Sequence, residues 1–408
     1  MRELSYPKNK INVLLLEKVD KIAFDLFKEE GYNVESLDGS LNEKDLIKKI
    51  KDVSILGIRS KTIISDKVIK SANKLLAIGA FCIGTNQIKF ESCNDSGIVV
   101  FNAPYSNTRS VVEIVIAQII NLMRKIIIKS NKMHSGVWRK DSLDSFEIRN
   151  KVIGIVGYGN IGSQLSVICE ALGMKVLYYD IIDKLSIGNA KKCKSLNDLL
   201  KNSDIVSLHV DGKKINTNLI SDREFSIMKE KSILVNYSRG NVVDINSLIK
   251  NIKSKKIMGA ALDVFPEEPS NNKEKFKSKV KGIEEIILSP HIGGSTKEAQ
   301  KNIGSYVPDK IIDFINSGNT SSSVNFPKLS LPEQSDSHRL IHIHKNQPGV
   351  MLKINKIISE YNINIKGQYL KTNEEIGYVI TDIDSVYNKE VVKSLKNIPA
   401  TIKLRVLY

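Results

Sequence analysis

Three polar residues follow predicted strands in the second half of the sequence, and together they supply a cation, a carboxylate and an imidazole. Arg239 lies in NYSRG, Glu268 in DVFPEEP and His291 in SPHIGG. An imidazole can act as a general base, and a neighbouring carboxylate can hold it in one tautomer. A planar guanidinium matches a carboxylate or an α-keto acid. The set predicts proton transfer on an acidic substrate, although each residue alone also suits a structural role.

The elements that must position these residues begin with VIGIVGYGNIGSQLSVICEALGMKVLYYD, residues 152–180. A strand pattern, a glycine turn, a helix pattern and a second strand follow one another. Gly157, Gly159 and Gly162 stand in GxGxxG order, which allows a tight turn and close approach of a pyrophosphate to the helix N-terminus. Asp180 ends the second strand, where a carboxylate accepts hydrogen bonds from ribose hydroxyls and repels a 2′-phosphate. The unit therefore predicts a dinucleotide site that prefers NAD over NADP.

Further apolar strand runs follow: DIVSLHV, SILVNYSRG, IMGAALDVF and EIILSPHIGG. They predict a doubly wound parallel sheet, in which ligands and catalytic groups gather at the carboxyl ends of the strands. His291 is the histidine suitably placed as a base there, whereas His209 suits a packed position near the cofactor. Asp263, at a strand end, is expected to face the nicotinamide side. Together with NAD, the three polar residues predict hydride transfer from a hydroxy acid.

The rest of the chain adds two further domains. Residues 11–107 alternate short strands and helices, which predicts a small parallel α/β domain, and a long helix is expected over residues 110–129. Residues 317–337 are rich in Ser, Asn and Pro and predict a linker. The remaining residues follow a β-α-β-β-α-β order, which is a ferredoxin-like unit. The predicted division is 1–107 with 295–336, then 108–294, then 337–408.

Composition excludes several classes of protein. The 408 residues carry a formal charge of +16, but 51 of the 61 basic residues are Lys and they are scattered, so nucleic-acid binding is not predicted. The four cysteines show no metal-ligand spacing, and we expect reduced thiols and no metal. The most apolar run, residues 111–128, contains Glu113 and Arg124, and no signal peptide is evident. A cytoplasmic protein is expected.

Several motifs resemble the D-isomer-specific 2-hydroxyacid dehydrogenase family. They are GYGNIG, NYSRG, ALDVFPEEP and SPHIGGSTKEAQ. The segments FCIGTNQI, FNAPYSNTRSVVE, GVWRK, HIHKNQPGV and NINIKGQYL are similar to the branch with one C-terminal ACT domain that acts on 3-phospho-D-glycerate. The resemblance implies a Rossmann NAD-binding domain inserted in a flavodoxin-like substrate domain. It also implies oxidation to 3-phosphohydroxypyruvate, the first step of L-serine biosynthesis, in a homotetramer, with a possible side activity reducing 2-oxoglutarate to 2-hydroxyglutarate.

The resemblance also assigns residues. It gives the catalytic roles to Arg239, Glu268 and His291. The implied cofactor contacts are Gly157, Gly159, Asn160, Ile161, Gly162, Asp180, Tyr237, Ser238, Arg239, Asp263, His291, Gly293 and Gly294. The implied substrate contacts are Arg59, Ser60, Asn107 and Lys140, with Trp138 at a subunit contact. For L-serine as feedback inhibitor, the implied residues are His344, Asn346 and Asn364.

Some positions depart from the family pattern: Asp38, Lys61, Asp211 and Tyr237. They bear on substrate affinity and cofactor packing rather than on catalysis. Two other functions stay open at this point. One is a dehydrogenase for another D-2-hydroxy acid, such as glycerate or lactate. The other is a non-catalytic NAD-sensing scaffold, because this fold also serves interaction modules.

Overall fold

The computed structural model describes residues 7–269, 273–332, 338–384 and 389–407. The chain divides into two compact units. The first comprises Met1–Ser106 and Gln300–Tyr408, and the second comprises Asn107–Ala299. Among the described residues, no helix is long and apolar enough to cross a membrane. The predicted boundary between residues 336 and 337 lies outside the described residues.

The N-terminal part of the first unit is a parallel sheet between helices. Its strands are β1 (Asn12–Leu15), β2 (Asn33–Ser36), β3 (Ile55–Ile58), β4 (Ala77–Ala80) and β5 (Val99–Asn102). Its helices are α1 (Lys21–Glu29), α2 (Glu43–Lys49), α3 (Asp66–Ser71) and α4 (Phe90–Asp95). The strand order is β2-β1-β3-β4-β5, which is the flavodoxin-like order. Strands β3, β4 and β5 are buried throughout, as expected for parallel strands covered on both faces.

The second unit is a larger parallel sheet that begins with two helices. These are α5 (Thr108–Arg124) and α6 (Ile126–His134); the later ones are α7 (Asn160–Ala171), α8 (Leu196–Asn202), α9 (Asp222–Ile227) and α10 (Ile245–Lys253). The strands are β6 (Val152–Val156), β7 (Lys175–Tyr179), β8 (Lys191–Lys192), β9 (Ile205–Leu208), β10 (Ser232–Asn236), β11 (Ile257–Leu262) and β12 (Ile286–Leu288).

The order of this second sheet is β12-β11-β10-β9-β6-β7-β8, with parallel pairing throughout its registers. The chain changes direction of winding between β6 and β9, and ligands of doubly wound sheets bind at that switch point. Successive residues of β10 face opposite cores: Ile233 and Val235 belong to one, and Leu234 belongs to the other. Apolar side chains thus pack on both faces of the sheet and hold in place the strands that precede the site loops.

The C-terminal part of the first unit is an antiparallel sheet with two helices. After the long helix α11 (Lys297–Ser317), its elements are β13 (His338–Lys345), α12 (Val350–Glu360), β14 (Ile365–Thr372), β15 (Ile376–Ile383), α13 (Lys389–Lys396) and β16 (Thr401–Leu407). The order β14-β15-β13-β16 is that of a ferredoxin-like fold. Ile341, Ile343 and Tyr378 of this sheet share one hydrophobic core with Phe101 and Phe314.

The structure corrects one prediction about local structure and adds detail to a second. The single helix expected over residues 110–129 is broken at Lys125, which adopts a left-handed conformation with φ 54°. The ammonium of Lys125 lies 3.3 Å from the Asp144 carboxylate, a contact that accompanies the break. The described part of the predicted linker is packed rather than solvated, because Thr320 and Asn325 are buried and hydrogen-bonded to main-chain groups. The described part of this linker therefore packs against the rest of its unit.

Candidate active site

Loops after three neighbouring strands of the second unit bring Arg239, Glu268 and His291 together. Arg239 follows β10, Glu268 follows β11, and His291 follows β12. The Nδ1 atom of His291 lies 2.7 Å from Oε2 of Glu268, and the other carboxylate oxygen accepts a hydrogen bond from the Phe265 amide at 3.0 Å. A carboxylate only accepts, so Nδ1 carries the proton and donates it. The Nε2 atom of His291 then carries the free lone pair that a base requires.

Electrostatics within this group agree with a base held by an acid. The hydrogen bond to Glu268 raises the pKa of His291, against the opposing effect of burial. Burial raises the pKa of Glu268, but the hydrogen bond and charge of His291 outweigh it and leave that pKa below its ordinary value. The positive charge of Arg239 acts on both groups. The His291 side chain is 53% exposed, so its free face is open to a substrate.

The turn that carries Arg239 is shaped by Asn236. The Asn236 side-chain oxygen accepts hydrogen bonds from the amide and the hydroxyl of Ser238, and its nitrogen donates to the Arg239 carbonyl. At Gly240, a Cβ atom would lie 2.0 Å from the Phe265 main chain, so this position demands glycine and the turn packs directly on the loop of Glu268. The guanidinium is half-buried and donates to the Ser238 carbonyl at 2.7 Å.

The loop that carries His291 is built around Asp263, which is 2% exposed. One oxygen of this carboxylate accepts from the Ser289 hydroxyl at 2.5 Å and the Ile292 amide at 2.9 Å, and the other accepts from the Gly293 amide at 2.7 Å. The His291 amide donates to the Asp263 carbonyl at 2.8 Å. His291 itself has φ 54°, a costly conformation for a residue other than glycine. Sequence reasoning placed Asp263 at the cofactor and missed its role as the centre of this loop.

The glycine loop after β6 fits the pyrophosphate of a dinucleotide. Gly157 has φ 92°, and a Cβ there would lie 2.4 Å from the His209 carbonyl oxygen, while one on Gly162 would lie 2.2 Å from the Gly157 oxygen. A Cβ on Gly159 would meet nothing within 4 Å, so the space above the loop is open. Helix α7 begins at Asn160 without a side-chain cap, and its first amides can bind an anion.

Asp180 follows β7 and lies beside this loop. Its carboxylate accepts hydrogen bonds from the Tyr158 amide at 2.8 Å and from the Ile182 amide at 2.9 Å. It is half-buried, and a carboxylate has about four acceptor positions, so two remain for ribose hydroxyls. His209 is half-buried, desolvation lowers its pKa to about 4, and its Nε2 lies 2.8 Å from the Ser207 hydroxyl. It is therefore a neutral, packed residue, as the sequence indicated.

The structure places the predicted substrate residues in both units. Arg59 and Ser60 follow β3 in the first unit, and the loop is held by two residues that sequence reasoning missed. Glu17 accepts hydrogen bonds from the amides of residues 61 and 62 at 3.0 and 2.8 Å, and Gln87 donates to the Arg59 carbonyl at 2.6 Å. Such contacts join residues far apart in the chain, so no local motif reveals them.

Asn107 and Lys140 belong to the second unit. Asn107 occupies the N-cap position of α5 without a side-chain capping bond, and its side-chain nitrogen packs so closely on Gly294 that a Cβ there would lie 2.1 Å from it. Lys140 is exposed, in the segment that follows α6, next to Trp138, whose side chain is 78% exposed. Asn107 is therefore tied to the loop of His291, whereas Lys140 shows no such contact among the described residues.

The predicted effector residues are not adjacent within the chain. Asn346 donates to the Asn373 carbonyl, and Asn364 donates to the Asp384 carboxylate. His344 pairs with Gly377 on β15, whereas residue 365 pairs with residue 383, six residues further along that strand. At about 3.3 Å per residue, the two ends are about 20 Å apart. His344 is also buried, with Nδ1 2.7 Å from the Lys345 carbonyl.

Comparisons with known proteins agree with the fold and identify a family. Residues 116–293 match the model of the D-isomer specific 2-hydroxyacid dehydrogenase, NAD binding domain, and residues 340–403 match an ACT domain like that of the acetohydroxyacid synthase (AHAS) small subunit. A D-3-phosphoglycerate dehydrogenase of Dictyostelium discoideum is 49% identical over 404 residues, covering 99% of both chains. One of Escherichia coli K12 is 46% identical over 411 residues, covering all of both.

Solved structures are similar over about three quarters of the chain. D-lactate dehydrogenase with NAD⁺ from Lactobacillus jensenii superposes with a TM-score of 0.64 at 28% identity, over 75% of this chain and 96% of that one. D-2-hydroxyisocaproate dehydrogenase, at 23% identity and a TM-score of 0.69, covers 77% of this chain and all of that one and supports the fold alone. The predicted fold class is confirmed, and so is the NAD cofactor. The chain belongs to the D-3-phosphoglycerate dehydrogenases, NAD-dependent oxidoreductases of the D-isomer-specific 2-hydroxyacid dehydrogenase family.

Proposed function

We propose that His291 is the base in the oxidation of 3-phospho-D-glycerate to 3-phosphohydroxypyruvate, with Glu268 and Arg239 as its partners. The observation that carries this assignment is the 2.7 Å contact between His291 Nδ1 and Glu268, which leaves Nε2 free. When bound, NAD would supply the acceptor for the hydride from C2 of the substrate. His291 Nε2 takes the hydroxyl proton in the same reaction, and Glu268 stabilises the imidazolium that forms. Arg239 pairs with the substrate carboxylate.

Residues around the glycine loop and in the loop of His291 bind different parts of the cofactor. Gly157 and the first amides of α7 hold the pyrophosphate, and Asp180 holds the ribose. For the substrate we propose contacts from Arg59, Ser60, Asn107 and Lys140, because a doubly charged phosphate needs cations and hydrogen-bond donors around it. The roles of these residues rest on the family resemblance, and the domain division that we propose is the one predicted from the sequence patterns.

The test is His291→Asn, which keeps a polar side chain of similar size but removes the base. We expect turnover with 3-phospho-D-glycerate to fall by about 10²- to 10⁴-fold. Binding of NADH, measured by fluorescence titration, should remain, because the histidine is one contact among many. Unchanged turnover would remove His291 as the base. Loss of NADH binding together with turnover would instead indicate a collapsed loop, and then Glu268→Gln decides.

We further propose that L-serine inhibits the enzyme at a site built from two copies of the chain. His344 and Asn346 lie at one end of the antiparallel sheet and Asn364 at the other. Strand β14 is the edge of that sheet, and its second half is exposed. If the β14 strands of two copies pair antiparallel, each copy places Asn364 beside the Asn346 end of its partner. The proposed homotetramer would supply this pairing, and a cytoplasmic location fits the reduced cysteines.

A hydrogen-bonded path connects Asn346 to the parallel sheet of the first unit. Asn346 donates through its side chain to Asn373 and through its main chain to Glu375, both at 2.8 Å. Glu375 accepts from the Asn94 side chain at 2.6 Å, and Asn94 accepts from the buried Asn325 at 2.9 Å. Asn94 lies on α4, directly after the segment that holds the Arg59 loop. Through this route, serine binding at Asn346 would change the position of the Arg59 loop.

A further inference from the structure

The side chain of Tyr237, in the active-site turn, faces away from solvent. Only 6% of it is exposed, and its ring belongs to the core beneath the sheet. Its hydroxyl lies 3.0 Å from the Ser289 hydroxyl. Burial raises the pKa of Tyr237 to about 12, so the hydroxyl keeps its proton at any assay pH.

The directions of these hydrogen bonds follow from counting protons. The Ser289 hydroxyl has one proton, and Asp263 can only accept, so that proton lies in the 2.5 Å bond to the Asp263 carboxylate. Ser289 must therefore accept from Tyr237. The result is one directed chain from Tyr237 through Ser289 to Asp263.

Asp263 is the group on which the His291 loop depends. Burial raises the pKa of Asp263, and the bonds from Ser289, Ile292 and Gly293 oppose that rise. A protonated Asp263 would become a donor at one oxygen and would lose a bond to one of the two amides beside His291. Ser289 is the side-chain donor in this set, and Tyr237 fixes its orientation. A change at Tyr237 therefore reaches Asp263 through two hydrogen bonds and the His291 loop through a third.

We infer that Tyr237 is a positioning residue for His291, acting through Ser289 and Asp263 rather than by contact with NAD or substrate. This inference rests on the proposed role of His291 as the base. It gives Tyr237 a different role from the cofactor contact that the resemblance implies. Its hydroxyl stabilises the ionised Asp263 that holds the left-handed turn.

The pH profile is the readout that a purely structural role would not change. The charged groups around Asp263 and His291 are Arg239 after β10 and Glu268 after β11. In the parent enzyme the acid limb of kcat/KM for oxidation should follow the single ionisation of His291. Ser289→Ala removes the hydroxyl that donates to Asp263, so the pKa of Asp263 rises further. The ionisation of Asp263 then adds to that of His291 in the acid limb. The limb should then lie at higher pH and become steeper.

The experiment compares Tyr237→Phe, Ser289→Ala and the double variant in the full-length enzyme. We expect kcat to fall about two- to tenfold in each single variant, with the KM values for NAD and substrate changed less than twofold. The double variant should be no slower than Ser289→Ala, because both act through one chain of bonds. Tyr361→Phe is the matched control: its hydroxyl lies 3.2 Å from Ser394 in the C-terminal domain, and its removal should leave kcat unchanged.

Three results separate the possible outcomes. Additive losses in the double variant, or an unaltered acid limb in Ser289→Ala, would overturn the positioning role of Tyr237. A selective rise in KM for NAD in Tyr237→Phe would also overturn it, in favour of a cofactor contact. If Tyr237→Phe does not fold, Ser289→Ala still decides, because it leaves the ring in place. Parent enzyme without turnover, or an active His291→Asn, would instead contradict the proposed function itself.

Discussion

Replacing Glu268 by Gln tests the pairing of base and acid at the centre of the site. The substitution keeps the size of the side chain and a hydrogen-bonding oxygen, but it removes the negative charge 2.7 Å from His291 Nδ1. The oxygen of the glutamine amide can still accept a hydrogen bond from Nδ1 of His291. It can no longer stabilise the imidazolium that forms when His291 takes the substrate proton.

The magnitude follows from the kind of hydrogen bond that is lost. A bond to a charged group contributes about 1.5–3 kcal/mol. Because the imidazolium exists only as the reaction proceeds, this loss falls on the transition state, and about 1.4 kcal/mol corresponds to a tenfold change in rate. We therefore expect kcat to fall by about 10- to 150-fold. Because 53% of the His291 side chain is exposed, solvent screens the charge and the loss in kcat is expected toward the lower end of this range, unless bound substrate excludes water.

The direction of the pH effect is also fixed. Glu268 raises the pKa of His291, and oxidation needs the neutral imidazole. The acid limb of kcat/KM for oxidation therefore lies at higher pH in the parent enzyme and moves to lower pH in Glu268→Gln. Reduction needs the protonated imidazole, so its alkaline limb moves to lower pH as well.

Glu267→Gln is the matched control, since this neighbouring glutamate is exposed. The assay is steady-state NADH formation with 3-phospho-D-glycerate, and NADH consumption with 3-phosphohydroxypyruvate, across the pH range. A Glu268→Gln enzyme within twofold of the parent, or one with an unmoved acid limb, would refute the assignment of Glu268. An equal loss in Glu267→Gln would point to a general effect of charge.

Three further results are expected. Asn94→Ala should raise the serine concentration for half-inhibition about two- to thirtyfold with kcat unchanged. The control is Lys403→Met, which removes a hydrogen bond to a main-chain carbonyl of the same unit and should leave that serine concentration unchanged. Equal effects of the two substitutions would contradict the route from Asn346 through Asn94. Arg339→Met should destabilise the protein by about 3–5 kcal/mol in denaturant unfolding, because it leaves the fully buried Asp382 unpaired, and adding Asp382→Leu should recover much of the loss. Asp180→Ala should lower the preference for NADH over NADPH about tenfold or more, and an unchanged preference would remove Asp180 as its source.

The sequence predicted the parts of the fold that depend on local patterns. Apolar strand runs located the second sheet, and the glycine motif located its switch point between β6 and β9. The carboxyl-edge rule for parallel strands was enough to bring Arg239, Glu268 and His291 to one place. These features are specified by residues close together in the chain, so periodicity and spacing reveal them.

Features that depend on distant partners were beyond prediction. The break at Lys125 requires a left-handed residue that no propensity favours, and it is accompanied by a contact with Asp144. The bond between Asn94 and Glu375 joins residues 281 positions apart. The role of Asp263 likewise depends on the loop after another strand. A polar residue in such a position looks the same in sequence as one in solvent, until its partners are known.

The most direct test of the central claim compares kcat/KM for 3-phospho-D-glycerate and D-glycerate with NAD, using the purified full-length enzyme. The proposed phosphate contacts predict a strong preference for the phosphorylated acid, about 10²-fold or more, because charge-assisted bonds to the phosphate contribute about 1.5–3 kcal/mol each. Equal values for the two acids would contradict the assigned substrate, and no turnover of either would contradict the assigned reaction.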